Sequence, residues 1–485
     1  MKGTFQPRAL LAHVNGTTIG ILREGDPAPG FPAGTLITGI MSFAMSDAGM
    51  VITGSATLST LTTTLGETGI WLHDFNTITR LPSPVPGCRF ALPTVSINQA
   101  GVVTLGGAGF LGEDDRPCVP AAGIFKWQNG QWQTVMAQDS FEPGEGEAVP
   151  GMAQAEFNFE NLLLPLSRQM TDDQGNVAFS AILKDPSSIP RRPLPSKQNK
   201  SSLWYKTEGE EPRLIALARE TLPGDPNAII VGLSFLNGVS VSNNGASVVP
   251  VVLVGEIGAL LSGFPRASQP YSSLQDTGEI QLSVTARSGR RPPGFEQTWF
   301  YSQFLGQALN RNGDFIFSAR VEGTSSVDTI WRAQVGGEPR LKAMAGMKIN
   351  ANGQERILRQ VGGLGGAAQS NTNGTPSQFS DTGDFVFAGE VDGSFRSILL
   401  IPDDQREQRI FALAEQLFPQ FFAPANAEDR LLEGFDYRFY SGTDTYIGIK
   451  GDEVFVLGKP FGEGIVRIGT IDETLAFLEQ ESITR

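Results

Sequence analysis

The stretch DDQGNVAFS at residues 172–180 decides the fold, together with its relatives SDAGMVITG (46–54), NQAGVVTLG (98–106), SNNGASVVP (242–250), QDTGEIQLS (275–283), NRNGDFIFS (310–318) and SDTGDFVFA (380–388). Each opens on a polar residue and places glycine three positions later, at Gly49, Gly101, Gly175, Gly245, Gly278, Gly313 and Gly383. A side-chain oxygen at the first position can accept from the backbone two residues on, and glycine takes a positive φ that any Cβ would resist. The apolar alternation that follows has the period of a strand with one covered face. Each copy is therefore predicted as a tight turn entering a strand, and seven copies predict a repeat architecture.

A second signature trails the first. Small, apolar and bulky residues recur as triplets at Gly69-Ile70-Trp71, Gly123-Ile124-Phe125, Ser202-Leu203-Trp204, Thr298-Trp299-Phe300, Thr329-Ile330-Trp331 and Ser397-Ile398-Leu399, with a blurred version around Gly258–Leu260. A third strand with a Pro/Gly-rich exit then follows, as in RLIALARETLPG (213–224). Four short strands per unit is the cue for a propeller blade. The motif glycines lie 52, 74, 70, 33, 35 and 70 residues apart, too far and too unevenly for a solenoid coil. The expected fold is mainly β: a closed β-propeller, seven-bladed within a range of six to eight. The chain opens on an orphan third strand, Thr17–Gly30, and the last repeat stops after Ser397–Ile401. Edge-to-edge pairing of these two is expected to close the ring and remove an exposed edge. Trp71, Trp204 and Trp331 hold equivalent places and read as packing between blades, whereas Trp127 and Trp132 flank an Asn-Gly hairpin turn and read as half exposed.

The 57 glycines and 31 prolines, with 18% charged residues, suit a turn-dense β protein. A net charge of −14 argues against nucleic acid as a partner. No run of 18 apolar residues offers a membrane span. Met1–Leu11 shows no signal peptide, which leaves either a cytosolic protein or a numbering that starts after the signal. Cys88 and Cys118 fall at the same open end of the hairpin that turns at Asn98–Gly101, and a disulfide between them is expected, which tilts localisation toward an oxidising compartment.

Beyond Pro402 the texture changes. Residues 403–485 carry 16 acidic and 8 basic side chains. A helix is expected at Asp404–Phe418, strands at Tyr437–Tyr440, Tyr446–Lys450, Glu453–Leu457 and Ile465–Gly469, and a final helix at Asp472–Gln480. The reading is thus a propeller over 1–402 and an acidic α+β domain over 403–485.

The turn motif and the exit GDPAPG (25–30) resemble the bacterial tandem-repeat proteins with an N-x-x-G-x-x-A-F motif, of choice-of-anchor type, over roughly residues 17–401. The segment 410–470 is similar to a small C-terminal module of bacterial extracellular proteins. Neither resemblance supplies catalytic residues. Together they imply an exported protein that binds or scaffolds, in an extracellular, cell-surface or periplasmic place.

The sequence offers few chemical constellations. Gly107–Gly112 matches G-x-G-x-x-G but runs into an acidic, Pro-rich loop instead of a helix, so the dinucleotide reading lacks its context. Asp172-Asp173 and Asp114-Asp115 have oxygen ligands for a cation, yet Asp172 already opens a turn; no metal, cofactor or catalytic residue is assigned. The loops say more. KDPSSIPRRPLPSKQNKS (184–201) and ARSGRRPPGFE (286–296) are read as insertions in one slot of repeats three and five, and Leu111–Ala122 as their counterpart in repeat two. In a ring they would share a face and gather Arg191, Arg192, Lys197, Lys200, Arg290 and Arg291 into a basic patch over blade four. The expected function is non-catalytic binding or surface assembly, with a polysaccharide or surface protein as partner and self-assembly allowed. The alternative is a polysaccharide hydrolase or lyase with carboxylates near the propeller axis.

Overall fold

In the computed structural model of the chain, the described residues run from 9 to 401 with breaks, the longest at 159–169, 185–199, 266–281 and 362–378, and include three further strands between 445 and 470. Every regular element among them is a β-strand. Six antiparallel sheets follow one another along the chain, lettered A to F here, with strands a to d in chain order. Sheet A joins Leu36–Ile40, Val51–Ser59, Glu67–His73 and Ile78–Leu81. Sheet B joins Arg89–Ile97, Val103–Leu111, Ala122–Gln128 and Gln131–Gln138. Sheet C joins Met152–Asn158, Val177–Lys184, Lys200–Lys206 and Arg213–Leu217, and sheet D joins Asp225–Leu233, Ser247–Leu253, Glu256–Gly263 and Leu282–Arg287. Sheet E joins Phe300–Leu309, Asp314–Glu322, Ser326–Gln334 and Arg340–Met344, whereas sheet F has Gln354–Val361, Phe385–Val391 and Ser394–Ile401, with short Lys348–Ala351 on the outer side of the first. Consecutive four-stranded meanders of this kind make the fold propeller-like.

The motif turns behave as their chemistry dictates. Asn310 Oδ1 accepts from the backbone N–H groups of Asn312 (3.0 Å) and Asp314 (2.9 Å), and Asp172 Oδ1 accepts from Gln174 and Asn176 at 2.9 Å each. Asn98 Oδ1 accepts from Val102 at 2.9 Å. The described motif glycines, Gly101, Gly175, Gly245, Gly313 and Gly383, have φ between +76° and +92°. Gly49 and Gly278 lie outside the described residues.

Each pair of consecutive sheets shares one core, because alternate residues of a strand face opposite neighbours. Val177, Phe179 and Trp204 of sheet C pack with Ile124 and Met136 of sheet B, while Ala178, Leu203 and Tyr205 pack with Val249, Val251 and Leu261 of sheet D. Sheets D and E meet through Val248, Leu260, Phe315 and Trp331, and sheets E and F through Ile316, Ile330, Phe385 and Phe387. The expected role of Trp71, Trp204 and Trp331 is confirmed: all are buried. The triplet also acquires a reason. A Cβ at Gly69 would stand 2.3 Å from the Trp71 ring, so the first residue must be small. Where it is Ser202 or Thr329, its hydroxyl accepts the indole N–H of Trp204 (2.7 Å) or Trp331 (2.8 Å) and donates to a carbonyl of strand b. Trp127 and Trp132 face each other across the Asn129-Gly130 turn and are half-buried, as expected.

Two readings need correction. Seven motif copies yield six sheets, because the copy at 275–283 founds no sheet of its own: Leu282–Arg287 is strand d of sheet D. Without Gly278, the step from Gly245 to Gly313 is 68 residues, close to the 70 and 74 found elsewhere. Thr298-Trp299 accordingly precedes strand a of sheet E and belongs to no triplet strand. Among the described residues, moreover, Thr17–Arg23 pairs with Ala9–Val14, and Ser394–Ile401 with Phe385–Val391; the expected bridge between the two is not made. Val14 opposes Thr17, so the two strands form a hairpin local in the chain. Local closure of that hairpin costs far less chain entropy than pairing across the whole chain.

Thr445–Lys450, Glu453–Gly458 and Gly464–Thr470 form a three-stranded antiparallel sheet matching three of the strands expected there. The helices expected at 404–418 and 472–480, and the strand at 437–440, lie outside the described residues. Gly464–Thr470 lies against Ala9–Val14, Thr445–Lys450 against Phe385–Val391, and Thr17–Arg23 against Leu36–Ile40. Asp173 beside sheet C meets Arg311 beside sheet E at 3.1 Å, although sheet D intervenes in the chain, so the motif turns of these two sheets come together. Cys88 and Cys118 form the expected disulfide, with Cα atoms 6.5 Å apart.

Candidate functional site

The loop with the exposed arginines Arg290 and Arg291 runs from strand d of sheet D to strand a of sheet E, not between strands b and c of a fifth repeat as its sequence suggests. It nevertheless emerges on the expected face. In sheet D Arg287 opposes Ala259, next to the b–c connection, and in sheet E Phe300 opposes Glu322, also at the b–c connection. Sheet C presents the same end: Ala218 N–H bonds the carbonyl of Ser201, and the following Arg219–Glu220 bonds Ile230 of sheet D. Strands bracketing the segment 185–199 thus end on the face that carries Arg290 and Arg291. Arg191, Arg192 and Lys197 lie outside the described residues, and Lys200 begins strand c of sheet C.

An open depression of about 990 Å³ lies where sheets D and E meet on this face, lined by Arg287, Arg290, Phe300, Gln303, Arg320 and Glu322 among others. Its floor is rigid. Gly289 N–H bonds the carbonyl of Tyr301 at 2.8 Å, and Tyr301 N–H bonds that of Arg290 at 3.0 Å, which zips the turn onto strand a of sheet E. Farther along the loop, Phe295 and Trp299 pack against each other and Phe295 against Trp331. The indole of Trp299 lies over Gly323, where a Cβ would stand 2.5 Å from the ring, so the b–c turn of sheet E needs glycine there.

Two guanidinium groups are held by carboxylates. Arg287 Nη1 donates to Asp225 Oδ2 at 2.7 Å, and Arg320 Nε donates to Asp328 Oδ1 at 2.9 Å with Nη2 directed at Oδ2 (3.4 Å). Arg287, then the N–H of Asn227, holds the Asp225 carboxyl below its ordinary value. Phe300 stands 38% exposed at the rim, and Gln303 is exposed beside it. An open, partly aromatic groove lined by three arginines, two of them oriented by carboxylates, has guanidinium donors that can pair with an anionic group. No group of three or more His, Cys, Asp or Glu suited to a metal occurs among the described residues.

The sequence reading found Arg290 and Arg291 but missed Arg287, Arg320, Asp225 and Asp328. The Arg320–Asp328 pair was open to detection, since the two face each other across a short hairpin as opposite charges. The Arg287–Asp225 pair joins positions 62 residues apart and leaves no local trace.

Tyr301 lines the depression with its hydroxyl buried and without a partner among the described residues, and burial pushes its phenol above the ordinary value. Tyr205 is raised as well, by burial and then by its hydrogen bond to Asp172. Both stay protonated in the folded chain at a pH where an unfolded tyrosine, titrating near about 10, loses its proton. Above that pH the folded state holds more protons than the unfolded one. Stability is thus expected to be level with respect to these groups below about pH 10 and to fall above it. Urea midpoints at pH 9 and pH 11 check this, and equal midpoints would contradict it.

The fold is that of a propeller-like, all-strand protein with an arginine-lined depression between two of its sheets. The chain belongs to the family of unknown function DUF7453, which it matches over residues 2–187 and 92–397. No curated protein matches it. Among solved structures it is similar to the β-propeller domain of the trilobed protease from Pyrococcus furiosus, at 9% identity, 87% of this chain and 90% of that one, with a TM-score of 0.35. Prolyl oligopeptidase B from Galerina marginata is similar at 9% identity and a TM-score of 0.39, covering 87% of this chain and 47% of that one, so the chain spans about half of its length. The Hadza microbial sialidase Hz136 is similar at 10% identity and a TM-score of 0.31, over 84% of this chain and 74% of that one.

Proposed function

We propose that this chain is an exported, non-catalytic binding or surface-assembly protein that holds an anionic polymer or protein partner in the groove between sheets D and E. The observation that carries the reading is the convergence of Arg287, Arg290 and Arg320 on one open depression of an otherwise acidic protein. The disulfide and the resemblance to exported tandem-repeat proteins support export. No helix among the described residues is long and apolar enough to cross a membrane. Replacing Arg290 and Arg291 by Ser is expected to leave stability within about 0.5 kcal/mol, because both side chains are exposed. The same change should weaken retention of acidic polysaccharides on a glycan array, and wild-type binding should fade as salt rises. A doubly substituted protein that binds every anionic probe like the wild type would sink the proposal.

We further infer that the ring is closed by a seventh, composite sheet made from both ends of the chain: Thr445–Lys450, Glu453–Gly458 and Gly464–Thr470 with Ala9–Val14 and Thr17–Arg23. The contacts of these strands with one another, with sheet F on one side and with sheet A on the other support it. Removing residues 1–23 should then expose the amides of Gly464–Thr470 to rapid hydrogen exchange. Unchanged protection of those amides would count against closure.

A further inference from the structure

The arginines that line the depression are balanced by carboxylates in and next to it. Asp225 engages Arg287 and Asp328 engages Arg320 from outside the lining residues, and Glu322 lines the depression itself. Three cations against three anions leave the groove close to neutral, and Arg291 at its margin adds one positive charge. Such a site does not concentrate the field that a densely charged polyanion seeks. It offers guanidinium forks already oriented by carboxylates, the geometry a further carboxylate matches. Phe300 presents an exposed apolar ring beside them, and Gln303 presents an amide that donates and accepts without charge. A ring of carbon and hydroxyls bearing a single carboxylate satisfies all three features, and the openness of the groove lets a chain of such rings pass through.

Resting on the binding role proposed above, we infer that the partner is a polyuronate, a glycan with one carboxylate per sugar, and that Asp225 and Asp328 set this preference by rejecting chains of higher charge density. The two aspartates are specificity residues that act through the arginines they hold. Each carboxylate lowers the positive potential at its arginine, which costs a densely sulfated or phosphorylated chain more than a polyuronate. Like-charge juxtaposition of this kind is a common means of excluding wrong partners.

The test uses the full chain at fixed ionic strength with three probes of matched length: oligogalacturonate, dextran sulfate and neutral dextran. Wild type is expected to bind oligogalacturonate more tightly than dextran sulfate and to ignore dextran. The double variant Asp225→Asn with Asp328→Asn should gain roughly tenfold in affinity for dextran sulfate, since removing like charges from an interface raises association with a polyanion. Its affinity for oligogalacturonate should change much less. The pair Arg320→Gln with Asp328→Asn removes both charges of one ion pair and leaves the net charge unaltered, so it should keep the wild-type ratio between the two anionic probes; it also reports whether loss of Asp328 disturbs the fold. A wild type that prefers dextran sulfate, or an aspartate-free variant with an unchanged ratio, would overturn the inference while leaving anion binding in place. If instead the Arg290 and Arg291 substitution leaves all binding intact, it is the binding role itself that fails.

Discussion

Replacing Trp331 by alanine is expected to lower the stability of the protein by about 3–5 kcal/mol, the cost of emptying a large aromatic site in a packed core. The residue is fully buried on strand c of sheet E, in the core that sheets D and E share. Its ring lies 5.6 Å from that of Tyr301, 5.8 Å from Phe295 and 6.4 Å from Phe317. Truncation therefore removes the platform on which the loop 288–299 rests, as well as filling volume. Trp331→Phe should cost less, on the order of 1–2 kcal/mol, because it keeps most of the area and loses chiefly the bond to Thr329. Denaturant midpoints followed by circular dichroism order the three proteins. An alanine variant with a wild-type midpoint would mean that Trp331 does not join the sheets, and the reading of the triplet would go with it.

The same two positions explain what the sequence could and could not disclose. The triplet and the turn motif are local: the need for a small residue at 329 is set by the ring at 331, and the need for glycine at 313 is set by the φ of +83° that Asn310 and its turn impose. Such requirements fall within a few residues and repeat with every sheet. They also recur where no sheet begins. QDTGEIQLS keeps the glycine but opens on Gln275 instead of Asn, Asp or Ser, and that residue together with the regular 68–74 residue spacing of the other later copies separates it from a true repeat. The groove lay deeper. Its wall combines the end of one sheet with the start of the next, and the loop that carries Arg290 acquires its place from Tyr301 and Trp331, which lie outside it. Sequence alone marked that loop as basic and exposed. It could not assign the loop to the seam between two sheets, because that depends on which strand Leu282–Arg287 completes.

Breaking the Cys88–Cys118 bridge, by reduction or by Cys88→Ala with Cys118→Ala, is expected to cost about 3–4 kcal/mol, the loop-closure entropy regained by the unfolded chain for a crosslink between residues 30 apart. Cys88 lies just before strand a of sheet B, and Cys118 lies in the connection between strands b and c, where its N–H bonds the carbonyl of Phe110 at 2.8 Å. Both half-cystines also pack against the core that sheets A and B share. That core includes Ile97, Leu105, Phe110 and Phe125, all at 1% exposure or less, and it does not depend on the bridge for its contacts. The reduced protein should accordingly keep its fold and melt earlier, with the loss concentrated in sheet B. Thiol labelling of the folded protein with and without reductant, paired with denaturant midpoints, measures both halves of this expectation. A chain that labels at both cysteines without reductant would remove the bridge, and with it the chemical support for export. A bridge that forms but adds no stability would place its value in holding the b–c connection of sheet B, on the same face as the groove, rather than in limiting the unfolded chain.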